Sequence, residues 1–151
     1  HGSIGARFHY GLKYNDELIQ VASFGKSRYN TKYDYECARM TVKDGYSVIG
    51  GASKLFKPFR GYSLITYADL RYGNGKVYEY CGLEYKGITQ PNYWYWYKNQ
   101  PNKLWSRVKF QKHKLPNILE NFNSELSEWE NMKNNNYDRI WDCGNAVYTS
   151  Q

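Results

Sequence analysis

Two adjacent glycines, Gly50 and Gly51, constrain the fold of this chain more than any other feature, because they separate runs of different hydrophobic period. Before them, Tyr33–Val42 alternates as a strand does, since successive strand side chains point to opposite faces. After them, the apolar residues of 52–59 recur at spacings of three and four, which predicts a short helix. Pro58 predicts that this helix stops near Lys57.

Further short runs of strand and helix character lie on both sides of this turn. Together they predict a mixed α/β (α+β) fold, with a mostly antiparallel central sheet, flanking helices, and a helix and hairpin at the C-terminus. Predicted strands are 9–14, 17–24, 63–68, 83–88 and 93–97; predicted helices are 75–81, capped by Gly82, and 124–132; the predicted hairpin is 138–149.

The length of 151 residues and the 19% aromatic content predict a single domain spanning 1–151 with one core. Residues 1–3 resemble a purification-tag remnant, so we expect a domain cut from a longer protein; a native His1 would be a candidate site residue. No run approaches 18 apolar residues, so we expect no membrane span. Three cysteines without Cys-x-x-Cys spacing favour a reduced, cytoplasmic setting without a disulfide framework or metal site.

The net charge of +7 is concentrated in one segment. Residues 85–119 hold seven basic residues and no acid, whereas the rest of the chain balances 14 against 14. The same segment carries the aromatic run 93–97, and cations interleaved with aromatics suit nucleic acid. A strand with buried aromatics and a solvated basic face explains the pattern equally well. The candidate nucleic-acid contacts are Arg28, Arg71, Lys98, Arg107, Lys109, Lys112 and Lys114 for phosphates, and Trp94 and Trp96 for bases.

The glycine turn itself predicts a phosphate site. Backbone N–H groups at a helix N-terminus, together with the helix dipole, favour anions, and small residues permit close approach. A glycine pair before a helix also arises from packing alone. The candidate cofactor-binding residues at this turn are Ile49, Gly50, Gly51, Ala52 and Ser53.

Two motifs at a suitable separation resemble the GNAT (N-acetyltransferase) superfamily. The turn reads SVIGGA from Ser47, similar to that family's Q/R-x-x-G-x-G/A loop, and VYEYCGL at 77–83 resembles its Tyr-x-x-x-Gly-Phe motif. Tyr78 stands four residues before Gly82, as the family's tyrosine does. Ser47 replaces Gln or Arg and Leu83 replaces Phe. The resemblance covers residues 9–90 and implies a GNAT-like fold that binds acetyl-CoA or a similar acyl donor.

The resemblance implies that Tyr78 is a general acid for the departing thiolate and that Asn74 contacts the donor. Asp69 ends a predicted buried strand, where α/β sheets present site residues, so it is a candidate base. Glu36 is a second candidate base because a carboxylate in mid-strand needs a partner or a role. Each of the three has a structural alternative: sheet packing for Tyr78, a turn for Asp69, and an ion pair with Arg28 or Arg39 for Glu36.

A narrower resemblance extends over more of the chain. The runs FGKSRYN, YADLRYGNGKVYEYCGLEY and YDRIWDCGNAVY are similar to a phage-encoded GNAT-like domain found with homing-endonuclease-type nucleases. The layout also resembles the phage Mom family, which modifies adenine in DNA. These resemblances imply a phage protein in the cytoplasm of a bacterial host, with DNA and a fused or associated nuclease domain as partners.

Three functions remain open at this point. The first is a GNAT-fold transferase that moves an acyl-type group to an amine, including a nucleobase amine, on or beside DNA. The second is a GNAT-fold DNA-binding module without catalysis, attached to a homing-endonuclease-type protein. The third is an ordinary N-acetyltransferase of a protein or small amine.

Overall fold

The computed structural model describes residues 5–151, so His1 lies outside the described residues. Backbone contacts divide the chain into two compact units, one formed by residues 5–90 and 144–151 and one formed by Pro91–Cys143. We call them the six-stranded unit and the three-stranded unit after their sheets. A single domain spanning 1–151 stays a prediction. The strands are β1 Phe8–Tyr14, β2 Glu17–Gly25, β3 Tyr35–Val42, β4 Leu64–Asp69, β5 Glu84–Ile88, β6 Tyr93–Tyr97, β7 Gln100–Ser106, β8 Tyr137–Trp141 and β9 Asn145–Ser150.

The six-stranded unit confirms the predicted mixed α+β fold with a mostly antiparallel sheet. Its strand order is β1-β2-β3-β4-β9-β5. Only β3 and β4 are parallel; the other four neighbouring pairs are antiparallel. The crossover between the parallel strands contains helix α1 (Gly51–Phe56) and a 3-10 helix, Lys57–Phe59, with Pro58 at its start. This matches the predicted stop near Lys57, since proline fits the first turn of a helix but not its interior.

One face of this sheet and the helices enclose an apolar core. Phe24 stacks on Phe59 with ring centroids 4.0 Å apart and meets Phe56 edge-to-face at 5.1 Å. A second short helix, the 3-10 helix Lys76–Cys81, adds Tyr78 to the same core. Gly82 follows it with φ +89, in the left-handed region that glycine adopts most readily, which confirms the predicted cap.

A β-bulge interrupts β3. Ser23 pairs with Arg39 and Phe24 with Cys37, so Ala38 is an extra residue on β3. Cys37 and Met40 consequently both pack against the core, although strict alternation would place them on opposite faces. Glu36 and Arg39, which unbroken alternation would place on opposite faces, therefore share one face across the bulge.

The three-stranded unit has its own core beneath the sheet β7-β6-β8. Tyr95 at its centre is fully buried, among Phe110, Leu115 and Met132. Helix α2, Glu128–Asn134, begins with a capping box in which Ser127 is the N-cap. Strand β7 falls in a run that the sequence left unassigned.

The predicted C-terminal hairpin 138–149 is wrong. Its two arms, β8 and β9, belong to different sheets: β8 pairs with β6, and β9 lies between β4 and β5. In the segment Asp142–Asn145, Gly144 has φ +76, and the chain passes there from the three-stranded unit to the six-stranded unit. Neither α-helix, of six and seven residues, is long enough to cross a membrane, and no other helix in the described chain is.

Candidate active site

A cleft opens in the six-stranded sheet where β3 and β4 separate. These strands pair at three positions, ending with Cys37 opposite Thr66, whose hydroxyl donates a 2.9 Å hydrogen bond to the Cys37 carbonyl oxygen. Beyond this pair β3 follows β2 to Val42, while β4 follows β9 to Asp69. The cleft has a volume of about 970 Å³ and is lined by residues of β1 to β4 and of 72–78. This size suits a small-molecule ligand.

Gly75 fixes the segment that borders the cleft. Its φ is +75, and a Cβ there would lie 2.5 Å from Ala68 Cβ and 2.7 Å from the Tyr148 ring. The Tyr148 hydroxyl donates a hydrogen bond to the carbonyl oxygen of Asn74 at 2.7 Å. The Asn74 side chain accepts a bond from the backbone N–H of Lys76 at 3.1 Å. Asn74 thus shapes this loop, and its contact with a donor stays a prediction.

Tyr78 lies in the cleft wall with 8% of its surface exposed. Its ring contacts Phe56 of α1 at 5.8 Å between centroids, so the phenol and α1 lie on the same face of the sheet. Burial raises the pKa of Tyr78 to about 12. The phenol is therefore protonated at neutral pH and has an O–H to donate.

Asp69 also lines the cleft, at the end of β4. The guanidinium of Arg71 donates hydrogen bonds to both carboxylate oxygens, the shortest at 2.6 Å. The backbone N–H of Arg71 donates a further bond at 3.0 Å. The Arg71 hydrogen bond lowers the pKa of Asp69. Asp69 is thus a weak base, and its geometry is that of a turn aspartate. Arg71, predicted to contact phosphate, is engaged by this carboxylate.

Glu36 is absent from the residues that line the cleft among those the structure describes. Its carboxylate is 2% exposed and accepts bonds from the backbone N–H and guanidinium of Arg28, at 2.9 Å and 2.5 Å. The ion pair with Arg28, one of the two sequence-based interpretations, is the observed arrangement. Arg28 is accordingly committed to Glu36, although its side chain is 48% exposed.

The glycine turn leads into α1 as predicted, and backbone conformation at Gly50 and packing at Gly51 explain the two glycines. Gly50 has φ +71, and a Cβ on Gly51 would overlap the side-chain oxygen of Gln20. That buried oxygen has no hydrogen-bond partner among the described residues. Ala52 is buried, and Ile49 is 97% exposed. None of these residues, nor Ser53, lines the cleft within the described chain.

Ser47 stands at the position where the loop motif Q/R-x-x-G-x-G/A has Gln or Arg, and Ser53 is bonded within the protein. The Ser53 hydroxyl donates a bond to the carbonyl oxygen of Tyr80 at 3.1 Å, so it ties α1 to the helix that carries Tyr78. No side chain in the described residues caps the N-terminus of α1. The left-handed φ of Gly50 and the packing of Gly51 account for the glycines of this turn.

His9 is a cleft residue that the sequence did not indicate. It is exposed, and its Nδ1 lies 2.9 Å from the hydroxyl of Ser23 on the neighbouring strand. The tight turn at Asn15–Asp16 predicts that an unbroken hairpin would place His9 opposite Ala22. A register shift after Leu12 moves it opposite Ser23 instead. Only knowledge of that bulge could have revealed the pair.

The predicted nucleic-acid contacts of residues 91–143 have different surroundings. Arg107 lies against Tyr93, and Lys109 lies 6.0 Å from the centroid of Trp105. Lys114 donates a 2.8 Å hydrogen bond to the backbone carbonyl oxygen of Val108, which uses one N–H of its ammonium group. Lys98 and Lys112 are exposed.

The aromatic strand β6 has one buried face and one half-exposed face. Tyr93, Tyr95 and Tyr97 point to the core side, where Tyr95 is fully buried. Trp94 and Trp96 occupy the other face, opposite Ile140 and Asp138 on β8. The contact of these tryptophans with bases stays a prediction, and the nearby Asp138 does not favour a polyanion there.

No group of three metal-ligating side chains that could hold an ion occurs among residues 5–151. The sequence matches no protein-family model, and no curated protein is significantly similar to it.

Proposed function

We propose that the six-stranded unit transfers an acyl-type group from a CoA-like donor to an amine, and that the chain does so on or beside DNA. The observation that carries this proposal is the cleft between the diverging strands β3 and β4 with the phenol of Tyr78 in its wall. The order strand, glycine turn, helix, strand and tyrosine helix supports it, because the GNAT resemblance implies that order.

In the proposed reaction the amine nitrogen forms a bond to the thioester carbonyl carbon and the carbon–sulfur bond breaks. The nitrogen loses one proton and the sulfur gains one. Holding the two reactants in one cleft supplies most of the rate, because a bimolecular step becomes effectively unimolecular. The exposed β3 and β4 edges at the cleft provide backbone groups that can orient an extended donor chain.

Tyr78 is assigned to the leaving sulfur. Its pKa of about 12 lies above the value near 8.5 that is ordinary for a thiol. Complete proton transfer from this phenol to a thiolate is therefore uphill, whereas a hydrogen bond to the developing negative charge is favourable. We assign Tyr78 the second role, which requires only that its proton be present.

The proton of the amine passes to His9 or to water. His9 lines the cleft, where its Nδ1 lies 2.9 Å from the hydroxyl of Ser23. Asp69 faces the same cleft, but the bonds from Arg71 make it better suited to orienting an ammonium or amine than to removing a proton.

Calorimetry with acetyl-CoA and a transfer assay with a short DNA test this proposal. We expect Tyr78→Phe to bind acetyl-CoA with unchanged affinity and to transfer about 10²-fold more slowly, because only the bond to the departing sulfur is lost. Tyr80→Phe is the matched control, since Tyr80 lies on the same short helix but is 82% exposed. Equal rates for the two variants, or no heat with acetyl-CoA, contradict the proposal.

A DNA-binding module without catalysis is the second candidate function. It is favoured by the pairing of both predicted bases, Glu36 and Asp69, with arginines. This function is also compatible with the glycine turn, because backbone conformation and packing explain its glycines without a bound phosphate. DNA binding with a steep dependence on salt, in a protein that gives no heat with acetyl-CoA, would establish this function instead.

A further inference from the structure

In the three-stranded unit, two arginines flank one tyrosine ring. The guanidinium carbons of Arg107 and Arg139 each lie 5.1 Å from the centroid of Tyr93. Arg139 also stacks on Trp129 of α2 at 3.9 Å and lies 5.6 Å from the centroid of Trp141. These rings hold the guanidinium of Arg139 in place, since a cation over an aromatic face is attracted by its quadrupole.

Neither arginine has an acidic partner. Within residues 5–151, no carboxylate lies at salt-bridge distance from Arg107 or Arg139. The acid that contacts Tyr93 is Glu128, and its Oε1 accepts bonds from the phenols of Tyr93 and Tyr95, at 3.2 Å and 2.8 Å. Arg139 is half-buried, and a cation removed from water without a counterion favours an anionic ligand.

The sequence indicates no binding role for Arg139. The structure instead gives it a cage of aromatic rings. No sequence pattern shows this, because Tyr93, Trp129 and Arg139 meet only through the pairing of β6 with β8 and the packing of α2.

Exposed aromatic surface lies beside these cations. Trp141 is 54% exposed and contacts Tyr93 with ring centroids 4.7 Å apart. A second cation–aromatic group occurs in the same unit, where Lys103 lies 5.0 Å from the centroid of Trp105. Trp105 is only half-buried. Positive charge and accessible rings thus occur together.

We infer that Arg107 and Arg139 bind backbone phosphates of a nucleic-acid strand with unpaired bases, and that the exposed ring of Trp141 provides a surface on which a base stacks. Two planar guanidinium groups match phosphate oxygens, and a single-stranded nucleic acid presents a phosphate and a free aromatic face at every nucleotide. An acidic peptide or a lone phosphate would use the cations and leave the rings in water. The joint presence of both therefore selects a nucleic acid.

This inference rests on the nucleic-acid part of the proposed function and is independent of acyl transfer. Its residues all belong to Pro91–Cys143, whereas the cleft belongs to the other unit. Binding and transfer can therefore be measured separately.

The test is fluorescence anisotropy of the full chain with a fluorescein-labelled 20-nucleotide single-stranded DNA, its duplex and labelled polyglutamate, between 50 and 200 mM NaCl. Arg107→Gln changes an exposed residue that no helix or strand core requires. Arg139→Lys keeps the charge but removes the planar stack on Trp129. Lys133→Gln is the matched control, because Lys133 is an exposed cation of the same unit in the last turn of α2.

We expect Arg107→Gln to weaken single-strand binding about fivefold and to reduce the salt slope by about 1, as the loss of one phosphate contact does. Arg139→Lys should weaken binding by a similar factor, and Lys133→Gln should bind as the parent chain does. The duplex and polyglutamate should bind more weakly than the single strand. Quenching of tryptophan fluorescence should accompany binding.

The inference is overturned if Arg107→Gln and Arg139→Lys bind as Lys133→Gln does, or if polyglutamate binds as tightly as the single strand. Tight duplex binding with no tryptophan quenching would overturn the stacking part. The Tyr78→Phe variant separates the two proposals, because it should slow transfer and keep single-strand binding. Failure of transfer in the parent chain with the arginine effects intact contradicts only the reaction, and the reverse result contradicts only this site.

Discussion

The two units each satisfy one carboxylate in a different way. In the six-stranded unit, Glu36 is held by the guanidinium of Arg28. In the three-stranded unit, Glu128 accepts bonds from two phenols, those of Tyr93 and Tyr95. A phenol supplies a hydrogen bond without a positive charge. The second arrangement therefore satisfies a carboxylate while leaving the arginines of that unit without an acidic partner.

The same contrast holds for the charges as a whole. The six-stranded unit holds thirteen Lys and Arg against eight Asp and Glu, and the three-stranded unit holds eight against six. All four ion pairs found in residues 5–151 nevertheless lie in the six-stranded unit. The unit with the smaller surplus of cations is thus the one whose cations lack carboxylate partners. Net charge alone therefore does not show which unit has cations without carboxylate partners.

The largest change in the free energy of unfolding is expected at Glu36. Glu36→Gln should lower the free energy of unfolding by about 2–3 kcal/mol, because a buried bidentate partner of Arg28 is replaced by a neutral amide. The lower end of the usual range applies, since Arg28 is half exposed. Urea denaturation followed by circular dichroism measures the change.

Glu17→Gln is the control for that experiment. Glu17 pairs with Lys43 and Tyr46 in the same unit, but it is exposed on the surface. An exposed pair contributes little, so this variant should unfold as the parent chain does. Equal losses for the two variants would show that burial does not distinguish them.

The phenol–carboxylate arrangement is tested by Tyr95→Phe, which should cost about 1–2 kcal/mol. The hydroxyl of Tyr95 donates to Glu128 at 2.8 Å and its ring is fully buried, so the substitution removes a bond without opening a cavity. Tyr97→Phe, on the same face of β6, is the control. A loss as small as that of the control would mean that Glu128 is satisfied by Tyr93 alone.

Local signals in the sequence were sufficient for most elements. The alternating run before Val42, the glycines of the turn, Pro58 and Gly82 each fix backbone geometry through their own chemistry, and the structure has the corresponding strand, turn, helix end and cap. Strand β7 was missed because Gln100–Ser106 is mostly polar and contains Pro101. It is a strand because it pairs with β6, a cause that its own composition does not reveal.

The candidate site was less accessible to sequence reasoning, since it depends on pairing. Tyr78 was found through its motif and lies in the cleft wall. Glu36 was chosen because a carboxylate in mid-strand needs a reason, and Arg28 supplies that reason. His9 and Arg139 were missed because their partners are set by a bulge in one case and by sheet order in the other.

A smaller effect is expected at the start of α2, which positions Glu128 for the two phenols. Ser127→Ala should cost about 1 kcal/mol, because its hydroxyl accepts the N–H of Glu130 at 3.2 Å in a capping box. Ser124→Ala is the control, since the sequence predicts that the helix begins there. Thermal unfolding compares the two, and a larger loss at Ser124 would place the helix start where the sequence does.

The smallest effect on stability, and the sharpest on charge, is expected in the cleft. Arg71→Gln should raise the pKa of Asp69 toward its ordinary value, because the Arg71 hydrogen bond is the main cause of its lowering. A lowered folded-state pKa means that the pair stabilises the fold above the unfolded pKa of about 3.9 and loses that contribution as the pH falls through the folded pKa. The parent chain should therefore lose more stability than Arg71→Gln on acidification below about pH 4.

Carbon-13 NMR titration of the side-chain carboxyls measures this shift directly. Asp34 provides an internal reference, because its pKa is lowered by bonds from Ser63 and should be the same in both proteins. An Asp69 that titrates identically with and without Arg71 would show that its charge is not set by that partner. Asp69 would then be released from the ion-paired pattern of its unit and would return as a candidate base in the cleft.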